Sequence, residues 1–122
     1  MFDTKLVHEI LTQILSAANR IERRCADIEN PDDFLISDEG LDKLDAICMM
    51  LITIGENLKN LDKITDSTLL PQYPEVDWKG AKGMRDIISH HYFDLNAEIV
   101  LTICKERIPG LIETIKNMIA TL

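Results

Sequence analysis

The sequence predicts an all-α protein, an antiparallel bundle of four to five helices. Three observations point there. Apolar residues recur at alternating steps of three and four along most of the 122 residues. No stretch shows the strict period of two expected of a half-buried strand. Breaks rich in Pro, Asp, Asn and Ser separate the periodic stretches, as helix–helix connections do. The length suits one helical domain over residues 1–122, with a modest core.

The first helix is expected over residues 4–29. Val7, Ile10, Ile14, Ala17, Ile21 and Ile28 hold the helical period, apart from one missed step at Arg24. Leu6, Leu11, Ala18 and Cys25 widen this stripe, and charged residues such as Glu9, Glu22 and Arg23 take the solvated sides. Asn30-Pro31-Asp32-Asp33 breaks the pattern, because the proline ring disfavours helix at the residue before it and lacks a backbone donor. Ser37 or Asp38 can cap the next helix.

That second helix is expected over 38–62. Leu41, Leu44, Cys48, Leu51, Gly55 and Leu58 alternate by three and four, Ile47, Ile54 and Leu61 add a parallel row, and Met49, Met50 and Ile52 reach further faces. Such wide apolar coverage predicts burial on more than one side. One side would pack on the first helix and another on a second protomer, giving a homodimer. The alternative is a central helix within a larger monomeric bundle. Gly55, in mid-helix, costs about 1 kcal/mol against alanine. Close approach of a neighbouring backbone would offset that.

Residues 63–77, with Thr65-Asp66-Ser67-Thr68, Pro71 and Pro74, read as a loop. Asp77 can cap a third helix that starts at Trp78, turns Ala81, Met84, Ile87 and Ile88 inward, and ends near His90 and His91. Asp94 or Asn96 caps a fourth helix bearing Ile99, Val100, Leu101, Ile103 and Cys104. Pro109-Gly110 is expected to interrupt it before a last amphipathic segment of Leu111, Ile112, Ile115, Met118, Ile119 and Leu122.

Charge and composition narrow the function. The formal charge of −8 and pI near 4.7 disfavour non-specific binding to nucleic acid or anionic lipid. No apolar run is long enough to span a bilayer, and the N-terminus lacks the features of a signal peptide, so the chain is expected in the cytoplasm. Cys25, Cys48 and Cys104 are odd in number and lie among apolar residues; they read as buried thiols, not a disulfide framework.

Chemistry concentrates in residues 83–93, which hold Arg85, Asp86, His90, His91 and Tyr92. Lys79, Lys82 and Arg85 against Asp86 give residues 79–92 a local charge of +2, inside an acidic remainder that suits a basic partner protein. Arginine offers a planar fork for phosphate, and histidine exchanges protons near neutrality. RNA carries its own nucleophile, the 2′-hydroxyl. A base for that proton and a cation for the phosphorane are enough for strand cleavage. His90 is therefore the candidate base and Arg85 the candidate transition-state cation, with His90 or His91 of the other protomer as acid. Lys82 and His91 are candidates for RNA contact. No metal-ligand spacing appears, so neither metal nor cofactor is expected. Asp86 and His90, four apart, share a helix face and can pair. Arg85 and His90, five apart, stand about 140° from each other on a regular helix. Either the helix ends near Ser89 and His90 swings back, or two chains share the site. A plainer reading stays open, in which Arg85 pairs with Glu56 or Asp86, Tyr92 and Phe93 close the core, Trp78 anchors packing, and His8 is a surface or boundary histidine.

The spacing Arg85, four residues, His90, one residue, Tyr92 resembles the R-x4-H-x-Y signature of HEPN-domain ribonucleases. Asp45-Ala46-Ile47 with Thr53-Ile54-Gly55-Glu56, then Leu70 to Trp78, then Gly83 to Asp86 and His90 to Phe93, resemble in order the HepT-like toxins. The resemblance implies a helical homodimer with the motif in its cleft. It implies a metal-independent endoribonuclease acting as the toxin of a toxin–antitoxin pair. It further implies a cognate minimal nucleotidyltransferase antitoxin that transfers AMP to Tyr92. By the same resemblance Arg85 and His90 are catalytic, Asp86 fills the polar position after the arginine, and Glu56 supports the site. A non-catalytic dimeric module that binds a nucleotide or the nucleotidyltransferase is the alternative.

Overall fold

The computed structural model describes residues 2–90 and 96–122. Five α-helices follow in order: α1 (Thr4–Cys25), α2 (Asp38–Ile64), α3 (Trp78–His90), α4 (Ala97–Thr102) and α5 (Ile108–Thr121). The expected all-helical bundle is observed, and no strand occurs among the described residues.

The starts of α1 to α4 each have a local cause. Asp3 accepts from the Leu6 amide, Ser37 from the Gly40 amide and Asp77 from the Gly80 amide, so each satisfies a donor that the first turn leaves free. Of the two candidates for α2, Ser37 is the cap. Asn96 caps α4 through the Glu98 and Ile99 amides; the other candidate, Asp94, lies outside the described residues.

Several features differ from expectation, the end of α2 among them, at Ile64 instead of residue 62. α1 stops at Cys25 instead of residue 29, and Ile28 stays buried from within a turn. The Cys25 carbonyl accepts from the Ile28 amide and from Lys105 Nζ at 2.7 Å, and this seals the helix end. Asp33 then takes the Glu29 and Asn30 amides and sets up a 3-10 turn over Pro31–Phe34. The loop after α2 is not wholly irregular, since Leu70–Gln72 form a second 3-10 turn. Pro109 does not interrupt the last helix. A π turn over Ile103–Arg107 joins α4 to α5, with the Ile108 amide bonding five residues back to Ile103. The widened turn accommodates a proline that lacks a donor and crowds the preceding turn.

α2 packs on α1 on one side and α3 on the other, while α1 also packs on α5. Its wide apolar coverage is thus largely used within the chain. Leu44, Ile47, Cys48, Leu51, Ile54, Leu58 and Leu61 join one core with Phe34, Ile14, Ile21, Ile88, Ile115 and Met118. Met49 stays 58% exposed, and Ile87, expected to turn inward, is 53% exposed while Ile88 beside it is fully buried. Trp78 is a packing anchor: it is buried, and its indole N–H donates to the Tyr73 carbonyl at 2.8 Å. No helix of the described residues is long and apolar enough to cross a membrane.

Candidate active site at the seam between α2 and α3

Gly55 determines how closely α3 approaches α2. A Cβ at this position would stand 3.1 Å from Arg85 Cβ and 3.2 Å from the Lys82 carbonyl oxygen. The expected close backbone contact is therefore found, and the backbone it admits carries Arg85. One residue along α2, Glu56 pairs with Arg85 Nε. Arg85 Nη1 also reaches Asp86 Oδ1 at 3.3 Å, and Lys59 Nζ reaches Asp86 Oδ2 at 3.4 Å. Lys82 pairs with Asp62. The partners run forward along α2 from 56 to 62 and backward along α3 from 85 to 82, so the two helices are antiparallel.

The seam is open to water. The side chains of Arg85, Glu56 and Asp86 are 43%, 47% and 55% exposed. Ion pairs at such exposure contribute only about 0–1 kcal/mol each. Their charges remain available to a ligand. The Lys82–Asp62 pair is more sheltered and pins the start of the seam.

The structure brings Arg85, Asp86, Glu56 and Lys82 together. It does not place His90 with them. α3 is helical through His90, so the chain does not turn back at Ser89, and His90 is exposed at the last described position of the helix. Asp86 meets Lys59 and Arg85, and among the described residues no ion pair joins it to His90. His91 and Tyr92 lie outside the described residues.

Sequence reasoning missed Lys59 and Asp62. A signal was present, since Glu56, Lys59 and Asp62 recur every three residues on one face of a helix read only for its apolar side. The reading of the cysteines holds: all three are free and buried. Burial and the nearby Asp45 charge push the Cys48 thiol up to about 11. Burial, with the adjacent Cys25 thiol, pushes Cys104 up to about 12. These thiols are packing groups, not nucleophiles. A cleft of about 290 Å³ opens between α2, α3 and the π turn, lined by Leu51, Ile54, Met84, Ile103, Ile108 and Leu111 among others; none of the seam's charged residues lines it.

Fold and seam together define a helical bundle that exposes an arginine, a histidine and paired carboxylates on adjoining helices. The chain matches the family described as "Ribonuclease HepT-like" over residues 14–118 and belongs to that family. It is 38% identical over 74 residues to "Putative RNase MJ0127" of Methanocaldococcus jannaschii, a match covering 61% of this chain and 58% of the relative. It is 34% identical over 74 residues to "Putative RNase TTE0752" of Caldanaerobacter subterraneus subsp. tengcongensis, covering 61% of this chain and 62% of that relative. The matches thus span about three-fifths of each relative's length. No solved structure matches the chain.

Proposed function

We propose that this protein is a metal-independent endoribonuclease, the toxin of a toxin–antitoxin pair, whose site is shared between two protomers. The observation that carries this reading is the placement of Arg85 and His90 on one uninterrupted helix. Arg85 faces the open seam beside Glu56 and Asp86. His90 is about 140° around α3 and about 7.5 Å along it, too far round to act on the same phosphate within one chain. A two-fold axis would bring the arginine of one protomer to the histidine of the other. Met49 and Ile87, 58% and 53% exposed, provide apolar surface near the seam for that contact. By helical period Met49 lies on the same stripe of α2 as Glu56.

His90 removes the proton of a ribose 2′-hydroxyl. The 2′-oxygen attacks the adjacent phosphorus while Arg85 stabilises the charge on the phosphorane. The bond to the 5′-oxygen breaks, and that oxygen takes a proton from His91 of the protomer that supplies the base, or takes back the proton held by that base. The products are a 2′,3′-cyclic phosphate and a 5′-hydroxyl. Glu56 holds the guanidinium in place, Asp86 pairs with it in the resting site, and Lys82, paired with Asp62, steadies the helix that carries it.

A cognate minimal nucleotidyltransferase antitoxin silences the site by AMP transfer. The Tyr92 phenolic oxygen bonds to the α-phosphorus of ATP and pyrophosphate leaves. The resulting anion, carried two residues beyond His90 in the chain, repels RNA. The protein works in the cytoplasm, where both RNA and that partner are available.

The first test is incubation of purified protein with total RNA in EDTA, after intact mass has established that Tyr92 is unmodified. Cleavage is expected, with cyclic-phosphate ends, and Arg85→Ala and His90→Ala each lower it by two or more orders of magnitude. A second reading, a non-catalytic nucleotide- or nucleotidyltransferase-binding module, is favoured by one observation: two carboxylates already neutralise Arg85. Unmodified protein that cleaves no RNA class would select it.

A further inference from the structure

The Asp86 carboxylate lies between two cations on different helices. Its Oδ1 faces Arg85 Nη1 at 3.3 Å, and its Oδ2 faces Lys59 Nζ at 3.4 Å. A phosphodiester presents the same arrangement, two anionic oxygens on one central atom. From this geometry we infer that Lys59 is a second phosphate ligand of the site, bridged to Arg85 by one RNA phosphate that takes the place of Asp86. The inference rests on the ribonuclease reading and extends it from one cation to two.

The energetics allow the exchange. Lys59 is 41% exposed and Asp86 55%, so the resting pair is solvated and contributes little to stability. A phosphate can therefore displace the carboxylate at little cost to the fold. The division of labour follows from side-chain chemistry. Arg85 supplies a planar fork already oriented by Glu56, whereas Lys59 supplies a point charge on a flexible stem that adjusts to the phosphate's position. Two cations on one phosphate also allow an acidic protein to bind RNA at one defined spot without a basic surface. Lys59 is only one turn of α2 from Glu56, so the clamp is built on two packed helices and not on a loop.

The test is the salt dependence of RNA binding. The probe is a short fluorescein-labelled single strand with 2′-O-methyl groups throughout, which removes the nucleophile and separates binding from cleavage. Lys59→Ala is expected to weaken binding and to reduce the slope of log K against log salt by about 0.7, the share of one phosphate contact on a single strand. Lys59→Arg retains the wild-type slope. Lys43→Ala is the charge control, since Lys43 pairs with Glu39 near the start of α2, and it also retains that slope. Thermal unfolding of each variant checks that the fold is intact. A Lys59→Ala slope equal to wild type, or an equal loss in Lys43→Ala, overturns the inference. Unmethylated RNA separates the two claims. Cleavage by wild type with no slope change in Lys59→Ala removes Lys59 and leaves the ribonuclease. A slope change without cleavage by unmodified wild type removes the ribonuclease and leaves Lys59 as a phosphate ligand. Wild type that does not bind the probe removes Lys59 as well.

Discussion

Arg85 is positioned by the smallest side chain in the seam. With Gly55 beneath it, the α3 backbone comes within 3.3 Å of where a Cβ on α2 would be. Gly55→Ala gains up to about 1 kcal/mol of helix propensity but pushes α3 outward by a few tenths of an ångström. Thermal stability should change little, while RNA cleavage should fall on the order of tenfold, because small misplacements of a catalytic group are costly. The buried thiols make a separate prediction. Burial pushes the Cys48 and Cys104 thiols up to about 11 and about 12 in the fold, from an ordinary 9.0. Their folded values are raised, so their contribution is fully present below pH 9 and is lost as pH climbs through 11 and 12. Unfolding temperature measured from pH 8 to 12 should fall more steeply for wild type than for a Cys48→Ala, Cys104→Ala double variant. At this scale the sequence was informative where neighbours in the chain decide the outcome. The mid-helix Gly55 announced a close contact, and Asp86 next to Arg85 announced one of its partners. Lys59 was not legible, because α2 was read for its apolar side and the partner Lys59 meets is chosen by how two helices dock.

Helix existence followed from the apolar period, whereas helix ends depended on bonds made from afar. α1 was expected to reach residue 29, yet it ends where Lys105 donates to the Cys25 carbonyl, 80 positions away in the chain. No local pattern encodes that bond. Lys105→Met removes it and should destabilise the fold by about 1 kcal/mol, read by chemical denaturation, with cleavage activity unchanged. The π turn was equally hidden. Pro109-Gly110 signalled a break, and the chain instead absorbs the proline by making one turn wider. α3 gave the opposite result, since its start at Trp78 and its extent to the first histidine were both readable from Asp77 and the apolar spacing. What the pattern left open was whether the helix would yield between Arg85 and His90, and it does not.

For the assembled molecule, a shared site makes a prediction that a one-chain site does not. On the proposed mechanism Arg85→Ala and His90→Ala should each be inactive, yet equal amounts unfolded and refolded together should regain activity. Half the dimers are then mixed and each mixed dimer holds one complete site, so roughly a quarter of wild-type activity returns. A site contained in one chain regains none. The bundle itself suggests how such a site is governed. α3 has its extensive packing on α2, whereas α1 and α2 hold each other and α1 also holds α5. Among the described residues, the helix that carries the motif is thus held chiefly by one neighbour, α2. In amide exchange it should open as a unit, with residues 81–90 exchanging well before the α1 and α2 amides. A protein that drew this helix off α2 would part Arg85 from Glu56 and Asp86 from Lys59, taking the seam apart at its charged edge.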